Sequence, residues 1–252
     1  MRKSSNEQCV VEFLGLPGAG KSTLAREVIE LLAGKQYETY NYEQIFKNRN
    51  ITRKWSSAFI YYSKNFGLVF YLLLYTLFSS PINPAILKYN IGRFFKLLEL
   101  IVMLELSRRK INLSSLMIFD QGITQCTWSI TSKGGGVNKK LLKKAMSNNK
   151  QIIPDIIIYV ETQAGTAAAR IKERDCKSDF DHLTFEKTAA LFRKQACYYR
   201  AILETIKEIK DVNVLVVDGN AGVRDNIDYI TAFIKDIIEE TVNSKNGNKN
   251  KK

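Results

Sequence analysis

Apolar and polar positions along the chain follow two alternating periods. Short, nearly continuous apolar runs read as buried strands: Val10, Val11, Phe13 and Leu14; Leu116 to Phe119; Pro154 to Val160; and Val212 to Val217. Gln36 to Tyr40 is a shorter candidate. Between them, apolar residues recur at helical spacing. Leu24, Val28, Ile29, Leu31 and Leu32 mark a first helix, with Gly34 as its C-cap. Further helices are predicted over 163–175, over 185–210 and from the last strand to about Glu240. The stretch from about 43 to 110 is largely helical in pattern. Within it FGLVFYLLLYTLF, Phe66 to Phe78, carries no charge but is too short to span a bilayer, which needs about twenty apolar residues. SSPINP breaks the pattern after it, and a second helix follows with Phe94, Phe95, Leu97, Leu98, Ile101, Val102 and Leu104 apolar. The two arms read as a helical hairpin.

Strands alternating with helices imply an α/β fold with a central parallel sheet of about five strands and right-handed crossovers. At 252 residues the chain fits one large domain, spanning 1–240, with the hairpin as an insertion. The end of the chain, NSKNGNKNKK, has no apolar periodicity, so 241–252 is expected to be a disordered basic tail. There are no internal repeats. The link Lys133-Gly134-Gly135-Gly136 leads to a helix over 138–148 with Lys139, Lys140, Lys143 and Lys144 on one side and Leu141, Leu142, Ala145 and Met146 on the other. That division suits a docked surface helix, or contact with an anionic membrane surface.

Charge and composition narrow the function classes. The net charge is +13, which suits phosphate-rich ligands, anionic lipid or nucleic acid. Basicity is the only support for nucleic acid, so no specific nucleic-acid binding is expected. Cys9, Cys126, Cys176 and Cys197 are scattered without C-x-x-C spacing, and His182 is the only histidine, which argues against a disulfide framework and a zinc site. The basic, polar start does not read as a secretory signal, and a cytoplasmic protein is expected, with the inner face of a membrane as an alternative station.

The chemistry concentrates after the first strand. Gly15-Leu16-Pro17-Gly18-Ala19-Gly20-Lys21-Ser22-Thr23 fits G-x-x-x-x-G-K-[ST] without a mismatch, between a strand and a helix. Glycines let backbone N–H groups converge on a phosphate chain, and the positive end of the next helix adds to that field. Lys21 is expected to reach the outer phosphates and Ser22 to ligate Mg²⁺. The strand MIF ends at Asp120, a carboxylate that could serve Mg²⁺ or accept a proton. The strands ending at Glu161 and Asp218 have the same form, so that pattern alone is weak.

Three segments together resemble the nucleoside-monophosphate kinases, and among them the thymidylate kinase-like group of P-loop kinases: VVEFLGLPGAGKSTLARE, MIFDQGITQ, and PDIIIYVETQAGTAAARIKERD followed later by VNVLVVDGNAGVRDNI. The resemblance implies a three-layer P-loop sandwich and a kinase using ATP and Mg²⁺. It implies that Gly15, Gly18, Ala19, Gly20, Lys21, Ser22 and Thr23 hold the donor phosphates, with Ser22 and Asp120 at the metal. Arg170 and Arg174, four apart on one helix face, would lead into a lid over about 170–184. Asp218, Gly219, Asn220 and Ala221 would line the adenine end, mainly by backbone. The acceptor half departs from that group. Pro17 stands where it carries an acid in the loop, Gln121 follows Asp120 where it carries arginine, and YETYNYEQIFKNRN lacks its arginine-bearing acceptor segment. An acceptor other than dTMP is expected, facing the aromatic hairpin, with Arg49, Arg53 and Arg93 as candidate cations. The expected function is an ATP-dependent phosphotransferase acting on a small molecule. The alternative is an ATP-binding regulatory or membrane-associated protein with little turnover. A homodimer is compatible with either.

Overall fold

The computed structural model describes residues 9–33, 38–40, 84–110, 115–133, 139–147, 150, 153–174 and 180–249. Five parallel strands form one sheet: β1 (Cys9–Leu14), β2 (Glu38–Tyr40), β3 (Ser115–Phe119), β4 (Ile156–Glu161) and β5 (Asn213–Asp218), in the order β2-β3-β1-β4-β5. The near-continuous apolar runs of β1, β3 and β4 follow from burial on both faces, as in sheets covered by crossover helices, whereas the edge strand β5 leaves Val216 exposed. Val11, Phe13, Ile118 and Ile156 through Ile158 are fully buried.

Seven helices are described: α1 (Lys21–Ala33), α2 (Pro84–Lys110), α3 (Ile123–Lys133), α4 (Lys139–Ser147), α5 (Ala164–Lys172), α6 (Phe185–Ile209) and α7 (Val223–Lys249). α1 packs with α7, while α6 packs with α3, α4 and α5, and α2 packs with α3. This is the α/β architecture the alternating pattern predicts. Asp155 ties three strand starts together. Its Oδ2 accepts from the Val10 N–H at 2.9 Å, its own N–H donates to the Val10 carbonyl, its carbonyl accepts from Asn213, and its Oδ1 pairs with Lys210 at 2.6 Å. The end of the sheet opposite the phosphate loop is thereby fixed.

The second arm of the expected hairpin is α2, whose Phe94, Leu97, Leu98, Leu100, Ile101 and Leu104 are buried. The first arm, Phe66 to Phe78, lies outside the described residues, as do Gly34, Arg49, Arg53, Cys176 and the glycine link. Among the described residues, no helix is long and apolar enough to cross a membrane. The basic helix α4 docks on α6: Lys139 pairs with Glu204 and Lys143 with Glu208, each at 2.7 Å, while Leu142 and Met146 are buried.

Two boundaries differ from the sequence pattern. α5 ends at Lys172, so Arg174 stands just beyond the helix that carries Arg170. Ile171 is the last buried residue of that helix, and the charged residues after it have no apolar stripe to bury. At the other end, α7 continues to Lys249, through most of the segment expected to be a disordered tail. Extending an existing helix needs only propagation, which is far easier than nucleating one.

Candidate functional site

The phosphate loop runs from the C-terminal end of β1 into α1, at the end of the sheet where parallel α/β folds bind ligands. Its shape depends on glycine at two places above all. Gly15 has φ +154°, and a Cβ there would lie 2.5 Å from the Val160 carbonyl oxygen. Gly18 has φ +83°, and a Cβ would lie 2.3 Å from the Ala167 carbonyl oxygen in α5. The loop is therefore pressed between β4 and α5.

Lys21 is buried, and its Nζ donates to the carbonyls of Gly15 and Leu16, both at 2.8 Å. Burial pushes its pKa down to about 7; Asp120 opposes the shift and Arg174 adds to it. The Ser22 hydroxyl donates to Asp120 Oδ2 at 3.0 Å. That contact follows from strand order, since β3 lies beside β1 and its end comes to the start of α1. The structure thus brings the loop serine and the acid ending β3 together, as the motifs predict.

Two cavities meet at the loop and share Gly18, Gly20, Thr23 and Arg174. One, about 320 Å³, is bounded by Arg170, Gly219, Ala221, Val223 and Asn226. Arg170 Nη1 donates to the Gly219 carbonyl at 2.9 Å, joining α5 to the turn after β5. Of the turn residues predicted here, Gly219 reaches the cavity by its backbone. The Asp218 and Asn220 side chains are instead occupied with each other. Asp218 Oδ1 accepts from the Asn220 N–H at 2.8 Å and from Asn220 Nδ2 at 2.9 Å. Asn226, from the next helix, takes their place in the lining and donates to the Asp218 carbonyl. The other cavity, about 330 Å³, lies on the opposite side of the loop, against Ser22, Arg93, Gln121, Gln125, Trp128, Ser129 and Phe180.

Four residues to which the motifs assign no role form or support this second wall. Gln125 and Trp128 are one helical turn apart on α3, and Tyr199 is fully buried in α6. Trp128 stacks on Tyr199 at 4.5 Å between ring centroids and donates Nε1–H to the Gln195 carbonyl. The fourth is Glu12, buried in the middle of β1. It accepts from the N–H groups of Thr124 at 3.1 Å and Gln125 at 2.7 Å, capping α3 from across the sheet. Gly122 makes room for it, because a Cβ there would lie 2.5 Å from Glu12 Cδ. One charged residue inside an otherwise apolar strand was the signal for Glu12 in the sequence. Gln125 lies in the MIFDQGITQ segment, where the resemblance assigns it no role, and Tyr199 carried no signal.

Burial raises the Glu12 pKa to about 7, and the α3 N–H groups pull against that shift. A carboxyl with a raised folded-state pKa holds its proton more tightly in the folded chain. The associated stability is fully present below the unfolded value near 4.5 and is lost as pH rises through about 7, on the order of 3 kcal/mol in all. Glu12→Gln removes this titration. Urea unfolding at pH 5 and pH 8 is expected to show the wild type losing more stability than the variant across that interval. Equal losses would contradict it.

No protein-family model matches the chain, and no curated protein matches it in sequence. Solved structures do match in fold. A deoxyadenosine kinase from M. mycoides with bound dCTP is 18% identical with a TM-score of 0.51, covering 90% of this chain and 99% of that one. The same kinase with the products dCMP and a flexible dCDP is 19% identical with a TM-score of 0.53, at the same coverage. The fold is thus that of P-loop kinases.

Proposed function

We propose that the chain is a P-loop phosphotransferase that moves the γ-phosphoryl group of ATP to a nucleoside-type acceptor. The observation that carries this reading is the pair of cavities opening on opposite sides of one phosphate loop. The cavity between Arg170, Gly219 and Asn226 is the donor side, where adenine would lie against backbone. The cavity along α3 is the acceptor side, where the Gln125 amide, the Trp128 ring and the Ser129 hydroxyl suit a base and sugar better than a lipid. The nucleotides named for the M. mycoides kinase support the same substrate class. The thymidylate kinase-like grouping rests on the sequence resemblance alone, and Gln121 beside Asp120 speaks against a dTMP acceptor.

Lys21 would leave its loop carbonyls for the donor phosphates. Arg174, common to both cavities, would balance charge on the equatorial oxygens during transfer. Ser22 and Asp120, 3.0 Å apart, would hold Mg²⁺. An ion shared with substrate phosphates needs only one or two protein oxygens. When bound, Mg²⁺ neutralises phosphate charge and orients the transferring group. For a hydroxyl acceptor, Asp120 is also the candidate base among the described residues.

The test is an initial-rate panel with MgATP against deoxynucleosides, ribonucleosides and nucleoside monophosphates. Turnover with one or more nucleosides, well above that with any monophosphate, is the expected result. Turnover confined to monophosphates would move the acceptor class. ATP binding with no product across the panel would favour the regulatory alternative.

A further inference from the structure

Gly15 and its neighbours contain a built-in replacement partner for the carbonyl that Lys21 must abandon. The two carbonyls that hold the Lys21 ammonium each have a second donor. Leu16 O accepts from the Ala19 N–H at 3.1 Å as well as from Lys21. Gly15 O accepts from the Tyr199 hydroxyl at 2.6 Å as well as from Lys21. The Tyr199 proton is committed to that carbonyl, since a carbonyl can only accept. The phenol oxygen in turn accepts from Gln125 Nε2 at 3.1 Å, and Gln125 Oε1 accepts from the Gly15 N–H at 3.3 Å. The three groups form a closed circuit that fixes the Gln125 amide orientation and serves both backbone groups of Gly15.

We infer that Tyr199 is a positioning residue for nucleotide binding: it keeps the Gly15 carbonyl satisfied when Lys21 transfers its ammonium to the phosphates. A buried carbonyl left without a donor carries the full desolvation penalty, so a lysine that is its sole partner is held back from the ligand. Because Tyr199 and the Ala19 N–H remain in place, Lys21 moves without orphaning either acceptor. Tyr199 sits on α6, 184 residues from Gly15, and is set by the Trp128 stack and the α6 core rather than by the loop itself. The inference rests on the phosphate-site reading above.

Tyr199→Phe keeps the ring and its stacking and removes only the hydroxyl. Titration of MgATP into wild type, Tyr199→Phe, Lys21→Ala and the double variant tests the role, carried to millimolar nucleotide so that weak binding is resolved. Tyr199→Phe alone is expected to weaken binding about tenfold. In the Lys21→Ala background the same change is expected to have no effect, because no ammonium has to leave. A tenfold loss that persists without Lys21 would mean that Tyr199 only shapes the loop, and would overturn the inference, as would unchanged affinity in Tyr199→Phe. Failure of the wild type to bind any nucleoside triphosphate would instead remove the phosphate-site reading and this inference with it.

Discussion

Asp120→Asn is expected to lower phosphoryl transfer by about 10²–10³-fold while leaving the fold intact. The asparagine carbonyl can still accept from the Ser22 hydroxyl, which Asp120 Oδ2 now does at 3.0 Å. What disappears is the negative charge beside Lys21 and Ser22, and with it the anionic oxygen that would hold Mg²⁺ or take a proton. Removal of one preorganised electrostatic partner costs about 2.7–4 kcal/mol in the transition state. The loss should fall mainly on kcat, because the donor phosphates still meet the loop and Lys21. Steady-state rates at saturating ATP, with thermal unfolding as a control, check this. An unchanged kcat would remove Asp120 from the site.

Gly18→Ala is expected to abolish productive nucleotide binding, with affinity falling about a hundredfold or more, whereas Gly20→Ala should be far milder. Both glycines have positive φ, +83° and +92°, so both substitutions strain the backbone by about 1–3 kcal/mol. Only Gly18 adds a collision. Its Cβ would lie 2.3 Å from the Ala167 carbonyl oxygen and 3.1 Å from Ile171 Cγ1, while nothing lies within 4 Å of a Cβ on Gly20. Relief requires the loop to move off α5, the helix that carries Arg170, so both cavities would deform. Parallel titrations of the two variants with ATP measure the contrast. Equal effects would mean that α5 yields freely to the loop.

The parts of the site legible in the sequence are those fixed by local chain chemistry. The glycine loop needs only its own residues and the strand and helix beside it, so motif and context agree with the structure. Asp120 was readable as a strand-end acid, though its meeting with Ser22 depended on β3 lying next to β1. The four-residue spacing of Arg170 and Arg174 brings both to one cavity although the helix ends between them, because helix length is set by what can be buried. α5 stops once Ile171 has reached the core. In the turn after β5 the Asp218 and Asn220 side chains bond each other, which leaves the lining there to Gly219 and Ala221.

What could not be read depends on contacts between distant segments. Glu12 is separated from Gln125 by 113 positions, and Tyr199 from Gly15 by 184. No local pattern distinguishes a tyrosine that completes a phosphate loop from one that fills a helix face. The charged residue inside β1 was the exception, since an unpaired buried carboxylate is costly and implies a partner somewhere. That partner proved to be the N-terminus of α3, the helix that carries Gln125 and Trp128.

The most direct measurement follows the label from γ-phosphate-labelled ATP in a single turnover with an excess of nucleoside, for wild type and Lys21→Ala. The two-cavity arrangement predicts that label appears in a nucleotide product of the wild type at a rate at least 10²-fold above Lys21→Ala. Label that remains in ATP, or that appears only as inorganic phosphate with every nucleoside offered, would contradict it.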